Sequence, residues 1–548
     1  MRALKNNSGD GLCRDRLFWP AMLLGGAVLS LTLWFGFGMD QSICAYAAWL
    51  WKHYQKPPYV GSWDLSFPGI FIVYRLALAL FGDSMLAVRI FDCLVQLSTL
   101  VMIFHLAKKI SGQSLAGALA AVFFSIFYFG HGELETAQRE SCIFWCLLAA
   151  VVIFFRSEKR SRLRDICTGL LLGVAFLVKP FFGLAWPVFG ALIFFERLRQ
   201  SPKRAVPALL LFSLACVLPS LLVIFYYWRI NGLEDLYRQT LWFNFKIYGS
   251  SGLNPLGGSR LSLLIIRHVI RQQPLILWPG LLGVVLCLRT AARHERKMLW
   301  AIISLIIVSL ISYRLQNKYF AFHLFPFWGF LLVFAAAAMA RALSALAGKL
   351  QNPARAVFYP LAVLLLLVLM ALLSVPQSQM QYARKYAFRN LDQAYASGLG
   401  TPEDHHLAAD QFLAAQYLKP RLKPGDQLVF FGPYPLVQFL LHIRQLSRFI
   451  CLQHFLFRAP DNNLTTRQFA WMQEFSSEVL RARPRFFLVA NSFPGMKSRF
   501  MNLASRSLHQ ELNQEFPELA EMLRKHYTRT HQCGEIEIFE IIPSPQRQ

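Results

Sequence analysis

The apolar residues of this chain fall in long uninterrupted blocks rather than in the alternating or amphipathic patterns of a water-soluble core. A helix needs about 20 apolar residues to cross a bilayer, and the block 17–37 has that length. With 55% hydrophobic and 16% charged residues, the composition is also typical of many membrane spans. We predict a polytopic α-helical membrane protein with about eleven spans. They lie near 17–37, 85–106, 113–130, 140–155, 166–179, 180–196, 205–228, 276–289, 298–313, 319–340 and 356–375.

The formal net charge of +26 is concentrated in short loops between alternate spans. These loops are 156–164, 197–204, 289–297 and 341–355. Cytoplasmic loops carry an excess of lysine and arginine, so this pattern predicts a cytoplasmic N-terminus and a C-terminus on the outer side. It also favours a membrane topology over nucleic-acid binding as the reason for the positive charge. We expect an integral protein of a bacterial inner membrane, with its C-terminal region periplasmic or extracellular.

The chain changes character after Pro376, where apolar runs shorten and charges interleave. We predict a transmembrane catalytic domain over 1–375, with an external loop at 38–84 that carries juxtamembrane helices and a second external stretch at 229–275. Residues 376–548 predict a soluble α/β domain, since helices alternate there with short strands. The predicted strands are 427–431, 485–489 and 535–540, and the predicted helices lie near 403–420, 435–443, 465–482 and 512–527. Cys451 and Cys533 would face the oxidising side and could form a disulfide.

Asp40 is the first acidic residue after the first apolar block. It is expected where the chain leaves the lipid on the outer side, between water and headgroups. A carboxylate there could act as a general base that takes the proton of an attacking acceptor hydroxyl. The alternative is an ordinary interfacial acid that ends the helix.

The loop between the third and fourth spans is rich in charge for a short connection. Its residues Arg139 and Glu140 are expected on the outer side with Asp40. Glu140 could orient Asp40 or an acceptor, and Arg139 could hold a phosphate as a bidentate fork. Alternatively, these charges only pair with one another.

Other polar residues at membrane depth or in the external loop complete the set of candidates, because a charge within a bilayer is costly. Lys179 precedes Pro180 and predicts a broken helix that carries a cation, although a snorkelling lysine is the alternative. Arg314 and Lys318 suit a phosphate leaving group, while His323 is either catalytic or a hydrogen-bonded packing residue. Asp64 could bind a substrate hydroxyl or stabilise its loop.

These motifs occur in a fixed order along the chain. They are Asp40; Pro58-Tyr59, Trp63-Asp64 and Pro68-Gly69; Phe81-Gly82-Asp83-Ser84 with Arg89; Gln138-Arg139-Glu140; Leu177-Val178-Lys179-Pro180; and Gln316-Asn317-Lys318 with His323-Leu324-Phe325-Pro326. In order and spacing they resemble the GT-C superfamily of polyprenyl-phosphate-sugar glycosyltransferases, the branch with protein O-mannosyltransferases and the lipid A aminoarabinose transferase.

The resemblance implies a cavity open to the outer leaflet and an aspartate at the end of the first span as catalytic base, the position of Asp40. Two departures from the family pattern concern its helpers. Family members often have Asp-Glu where this chain has Asp40-Gln41, so a second carboxylate would come from Glu140 or Asp64. Many also have Lys-Pro-Pro where this chain has Ser66-Phe67-Pro68. The phosphate contact of that lysine would then fall to Arg139, Lys179 or Lys318.

The expected reaction is the transfer of a sugar from a polyprenyl-phosphate donor to a hydroxyl of a glycan, lipid or protein acceptor, with inversion and with Asp40 as base. We predict no cofactor and leave a divalent metal open. The expected partners are the donor, the acceptor and membrane lipids, and not nucleic acid. A transporter or flippase for lipid-linked sugars is the main alternative, and a scaffold with a degenerate site is another.

Overall fold

The computed structural model describes residues 15–156, 161–249, 267, 269–292, 295–397, 407–458, 463–491 and 507–543. The helices of its first part are Phe18–Ser30, Met39–Tyr54, Pro68–Phe81, Met85–Ser111, Ser114–Gly130, Gly132–Glu135, Arg139–Arg156, Arg162–Val178, Ala185–Leu198, Pro202–Arg229, Leu233–Tyr237, Pro274–Thr290, Arg296–Gln316, Phe325–Ala347 and Asn352–Ser374. Short 3₁₀ segments occur at Leu31–Trp34, Pro180–Leu184 and Ala321–Leu324, and π-helical turns at Arg238–Trp242 and Asn244–Tyr248.

Each of the eleven predicted spans coincides with a helix of this list. Within the described residues, six helices are long and apolar enough to cross a membrane, or up to seven if the bent pair at the N-terminus forms one span. Pro68–Phe81, Ser114–Gly130 and Pro274–Thr290 are shorter apolar helices. The prediction of a polytopic helical membrane protein is confirmed, while the number of eleven crossings stays a prediction.

The first span ends in a sharp bend that positions Asp40. The helical segments Phe18–Trp34 and Met39–Tyr54 are inclined by 76° to one another across four extended residues. Gly38 lies against Leu134, and a Cβ atom at this glycine would come within 2.6 Å of the leucine side chain. Asp40 therefore lies in the first turn of a new helix and not at the end of the first one.

The predicted helix break before Pro180 is present. The helix Arg162–Val178 ends there, and Lys179 has extended backbone angles, with φ −154° and ψ 110°. The proline ring disfavours helical angles for the residue before it, which explains this conformation. The chain continues through the 3₁₀ turn Pro180–Leu184 into the helix Ala185–Leu198. The turn places the Lys179 ammonium inside the bundle.

The last part of the chain contains a four-stranded mixed sheet in the order β1-β2-β4-β3. The strands are β1 (Leu428–Phe431), β2 (Phe486–Ala490), β3 (Tyr527–Cys533) and β4 (Ile536–Ile541), with β1 and β2 parallel and the other pairs antiparallel. The helices are Gln377–Tyr386, Leu391–Ser397, Ala408–Leu418, Leu436–Leu441, Gln453–Leu456, Thr466–Ala482, Leu508–Glu515 and Pro517–His526. The predicted α/β character is confirmed.

Two features of this region differ from the prediction. The single helix expected near 512–527 is two helices that meet at Pro517, and a fourth strand, β3, follows them. β3 forms an edge of the sheet, and its inner five residues are exposed and mostly polar. An edge strand of this kind lacks the apolar alternation that marks strands in a sequence.

Cys451 and Cys533 are both free and buried, so the disulfide suggested by the sequence is absent. Cys451 packs with the juxtamembrane helices and Cys533 with the core of the sheet. The two thiols thus belong to different apolar clusters.

The sheet and the external loop share one core. Trp63 is fully buried with Phe243 and Ile247 among apolar residues of the sheet region. Its backbone N–H donates to the carbonyl of Arg448 at 2.7 Å. The Trp63 ring meets the rings of His454 and Trp471 at 4.3 Å and 5.4 Å. The external loop is therefore clamped between the membrane bundle and the sheet, beside Asp64.

Candidate active site

Asp40 forms an ion pair with Arg139 across the mouth of the bundle. Its Oδ2 lies 2.7 Å from Nη2 of Arg139, and 27% of the Asp40 side chain is exposed. Asp40 lies in the first turn of Met39–Tyr54, where the helix dipole stabilises negative charge. Asp40 is thus held in place and remains accessible.

The Arg139 guanidinium binds two groups at once, as a two-armed fork. While one arm holds Asp40, the Nη1 arm donates to the Ser66 hydroxyl at 3.0 Å. The Nε atom is buried and has no hydrogen-bond partner among the described residues. The first residue of the helix Arg139–Arg156 therefore joins the external loop to the catalytic candidate and keeps unused donor capacity.

Asp64 lies beneath this fork and is 3% exposed. Its Oδ1 accepts the Ser66 backbone N–H at 2.6 Å, and its own N–H donates to Oε1 of Gln239 at 3.1 Å. Burial raises the pKa of Asp64 to about 6, because the apolar surroundings penalise its charged form more than the Ser66 bonds and Arg139 favour it. The carboxyl thus changes protonation state close to neutral pH.

Glu140 forms a second, deeper ion pair on the other side of the same helix turn. It pairs with the Lys179 ammonium, which also donates to Oε1 of Gln316 at 2.6 Å. Nε2 of His323 lies 3.7 Å from Oε1 of Glu140. Glu140 Oε2 and His323 Nδ1 are buried without a partner in the described parts of the chain. Unsatisfied polar atoms are costly in a core, so their clustering here indicates a binding site.

Lys318 covers the cluster from the loop before the helix Phe325–Ala347. Its ammonium donates to the Tyr248 carbonyl and lies 3.9 Å from the centre of the Tyr248 ring. Burial lowers the pKa of Lys318 to about 8, which still leaves the amine mostly protonated at neutral pH. The Tyr248 ring in turn meets Phe457 of the sheet region at 5.0 Å.

Arg314 takes a different position from the other candidates. It is exposed on the last turn of Arg296–Gln316, and its Nη1 donates to the Tyr319 hydroxyl at 3.1 Å. The structure thus brings Asp40, Asp64, Arg139, Glu140, Lys179 and His323 into one network of contacts and charges, with Lys318 above it. Arg314 lies on the exposed side of its helix.

Gln41 has a structural role that its sequence position did not suggest. Its amide nitrogen lies 2.8–2.9 Å from the carbonyl oxygens of Glu133, Leu134 and Thr136. Three acceptors face this atom, so the site requires a donor. The glutamate that the family resemblance implies here would bring a carboxylate against these oxygens.

The sequence also did not single out Ser66, Gln316 and Tyr248 as contacts of the site. Their side chains or backbones meet the charged residues only through folding, since Gln316 is 137 positions from Lys179 and Ser66 is 73 from Arg139. The one signal was the position of Ser66 and Gln316 inside family motifs. Among the described residues, no group of three or more His, Cys, Asp or Glu side chains is arranged to hold a metal ion.

Comparison with known proteins agrees with the predicted resemblance. Residues 65–223 match the family described as dolichyl-phosphate-mannose-protein mannosyltransferase. No curated protein matches the chain significantly.

Solved structures match over nearly the whole chain. The fold is similar to ArnT from Cupriavidus metallidurans bound to undecaprenyl phosphate, with 12% identity, a TM-score of 0.54, and coverage of 97% of this chain and 98% of ArnT. The apo state of ArnT matches with the same values. The oligosaccharyltransferase of Archaeoglobus fulgidus tethered to an acceptor peptide matches with 10% identity, a TM-score of 0.51, and coverage of 94% and 73%. The predicted GT-C fold is confirmed.

Proposed function

We propose that this membrane glycosyltransferase of the GT-C fold, which uses a lipid-phosphate-linked sugar, transfers the sugar to an acceptor hydroxyl on the outer face of the membrane, with inversion and with Asp40 as general base. The observation that carries the proposal is the Asp40–Arg139 pair, in which a partly exposed carboxylate adjoins a guanidinium with unused donor capacity. The enzyme class favours transfer over the transporter that the sequence left open.

Exposure distinguishes Asp40 from the other two carboxylates of the cluster. A general base must reach the proton that it takes, directly or through one water. The Glu140 side chain is 1% exposed, and Asp64 is buried below Ser66. Asp40 is therefore assigned as the base, Asp64 as the group that fixes the external loop at Ser66, and Glu140 as the partner that orients Lys179.

The leaving phosphate is assigned to Arg139 and Lys179. Negative charge grows on this phosphate as the glycosidic bond breaks, so fixed cations stabilise the transition state. Ser66 stands where many members of the family that the sequence resembles have a lysine, and Arg139 donates to its hydroxyl. We assign the phosphate contact of the missing lysine to Arg139, with Lys318 as a further cation above the site.

Donor binding should also release the base. Arg139 holds Asp40 in the structure, so one oxygen of the carboxylate is occupied by a hydrogen bond. Guanidinium binds phosphate in the same bidentate way that it binds carboxylate. A donor phosphate on Arg139 would therefore compete with Asp40 and free it for the acceptor hydroxyl.

The proposal retains the predicted topology. The N-terminus is placed in the cytoplasm, and the regions 1–375 and 376–548 act as membrane catalytic domain and extracytoplasmic α/β domain. The donor is assigned as a polyprenyl-phosphate sugar, supported by the undecaprenyl phosphate in the ArnT structure of the same fold. The acceptor is a hydroxyl on a glycan, lipid or protein.

The test is transfer by the purified protein in lipid nanodiscs, supplied with a panel of polyprenyl-phosphate sugars and simple hydroxyl acceptors. We expect release of polyprenyl phosphate with at least one donor, and NMR should show the opposite anomeric configuration in the product. A product with the same anomeric configuration as the donor would overturn the proposed transfer with inversion. In proteoliposomes, movement of the lipid-linked sugar between leaflets without polyprenyl phosphate release would favour the transporter.

A further inference from the structure

Asp92 is a buried carboxylate in a membrane helix, outside the network described above. It lies on Met85–Ser111 and is 5% exposed. An acid in this environment is costly unless its oxygens are satisfied. Asp92 Oδ2 accepts the Tyr128 hydroxyl at 2.6 Å, and Oδ1 accepts Nε2 of Gln96 at 3.0 Å. Both oxygens are thus occupied, and one of them holds a tyrosine.

The Tyr128 hydroxyl links Asp92 to the backbone of Ala137. Its single proton goes to Asp92, so its oxygen is available as an acceptor, and it receives the Ala137 N–H at 2.8 Å. The direction of the second bond is fixed because a backbone N–H only donates, which leaves the one phenol hydrogen for the Asp92 carboxylate. Successive bonds of this kind polarise one another and strengthen.

Ala137 has a conformation that needs such support. Its φ is +56°, in the left-handed region that residues with a Cβ rarely adopt. Its carbonyl accepts the Tyr74 hydroxyl at 2.9 Å, so buried tyrosines hold both of its backbone groups. Two residues later the helix Arg139–Arg156 begins. The turn at Ala137 therefore sets the direction of the first helical turn.

We propose that Asp92 and Tyr128 form a positioning pair for the transfer reaction, by holding Ala137 in the left-handed turn that directs Arg139 to Asp40 and Glu140 to Lys179. Neither residue touches a reacting atom, so both act through the loop. The catalytic consequence rests on the proposed function, whereas the hold on the loop does not.

The main variant is Tyr128→Phe, which keeps the ring and removes the hydroxyl that Ala137 and Asp92 share. Misplacement of reacting groups by about 1 Å costs about 100-fold in rate, so we expect kcat to fall by about 10- to 100-fold. Tyr382→Phe is the matched control. Tyr382 is also buried, and its hydroxyl also contacts the backbone, where its one hydrogen is shared between the carbonyls of Trp34 and Ala394. We expect this control to keep kcat within about twofold.

Two further variants separate positioning from general stability. Glycine adopts positive φ freely, so Ala137→Gly should restore several-fold of the lost kcat when combined with Tyr128→Phe. Asp92→Asn keeps one acceptor for Tyr128 and should retain more activity than Asp92→Leu, which keeps none. A tyrosine that only filled space would give no rescue by glycine and no difference between these two replacements.

Hydrogen exchange measured by mass spectrometry reports the hold on the loop without any substrate. We expect faster exchange of the peptide 131–142 in Tyr128→Phe, and unchanged exchange there in Tyr382→Phe. Unchanged exchange of this peptide in Tyr128→Phe, or a kcat equal to that of the wild type, would overturn the proposal. If the wild type transfers no sugar from any donor, the proposed function fails, and the exchange measurement alone decides whether the pair holds the loop.

Discussion

Gln41, next to the catalytic candidate Asp40, has a structural role that depends on its amide nitrogen being a hydrogen-bond donor. Gln41 follows Asp40, where the family resemblance implies a second acid, yet its amide faces three backbone carbonyls. These carbonyls belong to the loop that precedes Arg139. Gln41 therefore ties the Asp40 helix to the segment that precedes Arg139.

Replacing Gln41 by the glutamate that the family resemblance implies should therefore destabilise this protein. Gln41→Glu removes the donor and places a carboxylate against three oxygens, so we expect a loss of about 3 kcal/mol in the free energy of unfolding. Denaturant unfolding in mild detergent measures it. Gln55→Glu, exposed beyond the other end of the same helix, should change stability by less than about 0.5 kcal/mol. A Gln41→Glu variant with full stability and higher kcat would instead support a second acid at this position.

Asp64 should set the acid limb of the pH profile. Its pKa is raised to about 6 by burial, and the ionised carboxylate holds the Ser66 N–H more strongly than the neutral acid does. We expect kcat/KM to rise as the pH increases through about 6, and this limb to disappear in Asp64→Asn. Rates of sugar transfer between pH 4.5 and 8 test this. A wild-type profile that is flat over this range would contradict the role.

The same shift has a defined effect on stability. The folded state binds the Asp64 proton more tightly than the unfolded chain does, because the pKa is raised from 3.8. The contribution of this group to folding stability is therefore greatest below about pH 4 and falls as the pH rises through about 6. Asp64→Asn should remove this component of the pH dependence of unfolding.

At the scale of elements, the first turn of Arg139–Arg156 organises the site by pointing two adjacent residues in different directions. Arg139 reaches the juxtamembrane helix and the external loop, while Glu140 reaches the break after Arg162–Val178. Lys179 also contacts Gln316 at the end of a third helix. The buried Glu140–Lys179 pair thus fastens three membrane helices below the proposed phosphate site.

A double-mutant cycle separates the structural part of this pair from its proposed phosphate contact. Lys179→Met leaves Glu140 buried without a counter-charge and should cost about 3–5 kcal/mol of unfolding free energy. Adding Glu140→Gln should recover most of that stability and none of the kcat, because the cation stays absent. The Lys52–Asp83 pair, which is more exposed than Glu140–Lys179, serves as control, with an expected coupling of about 1 kcal/mol or less. Recovery of kcat in the double variant would remove Lys179 from phosphate binding.

The elements that the sequence could predict are those with a strong local signal. Apolar length marks the spans, the proline at 180 marks the break, apolar runs mark β1 and β2, and apolar alternation marks β4. The strand β3 was not predicted, because its inner residues are polar and exposed at the edge of the sheet. Polar residues at the ends of spans and the motif order indicated the charged residues that the structure brings together, while Arg314, chosen for its charge, faces outward. The contacts of Ser66, Gln316, Tyr248 and the Asp92–Tyr128 pair depend on three-dimensional packing, which no local pattern reports.

For the whole molecule, the membrane bundle and the sheet region meet around the external loop. Trp63 is inserted into the core of the sheet, and Tyr248 joins Lys318 to Phe457. The sheet region therefore packs directly against the residues around the candidate site. Asp64, adjacent to Trp63, depends on this interface for its position.

Loss of the Trp63 ring should loosen the loop and reduce transfer. Trp63→Ala removes a fully buried side chain, which typically costs about 3–5 kcal/mol, and it should lower kcat as Asp64 loses its fixed position. Unfolding and transfer assays measure both effects. Trp278→Ala, at a ring that is 57% exposed, should change each of them little. Unchanged kcat in Trp63→Ala would show that the site functions independently of the sheet.

The most direct test of the account is the rate of sugar transfer by Asp40→Asn, compared with Asp83→Asn in the same external loop. Both replacements remove the charge of an aspartate that is paired with a cation, at 2.7 Å and 2.8 Å. We predict a loss of about 100-fold or more in kcat for Asp40→Asn, as expected for a missing general base, with polyprenyl phosphate binding retained. Asp83→Asn should keep wild-type kcat. An Asp40→Asn enzyme that transfers sugar at the wild-type rate would contradict the assignment of Asp40 as the base.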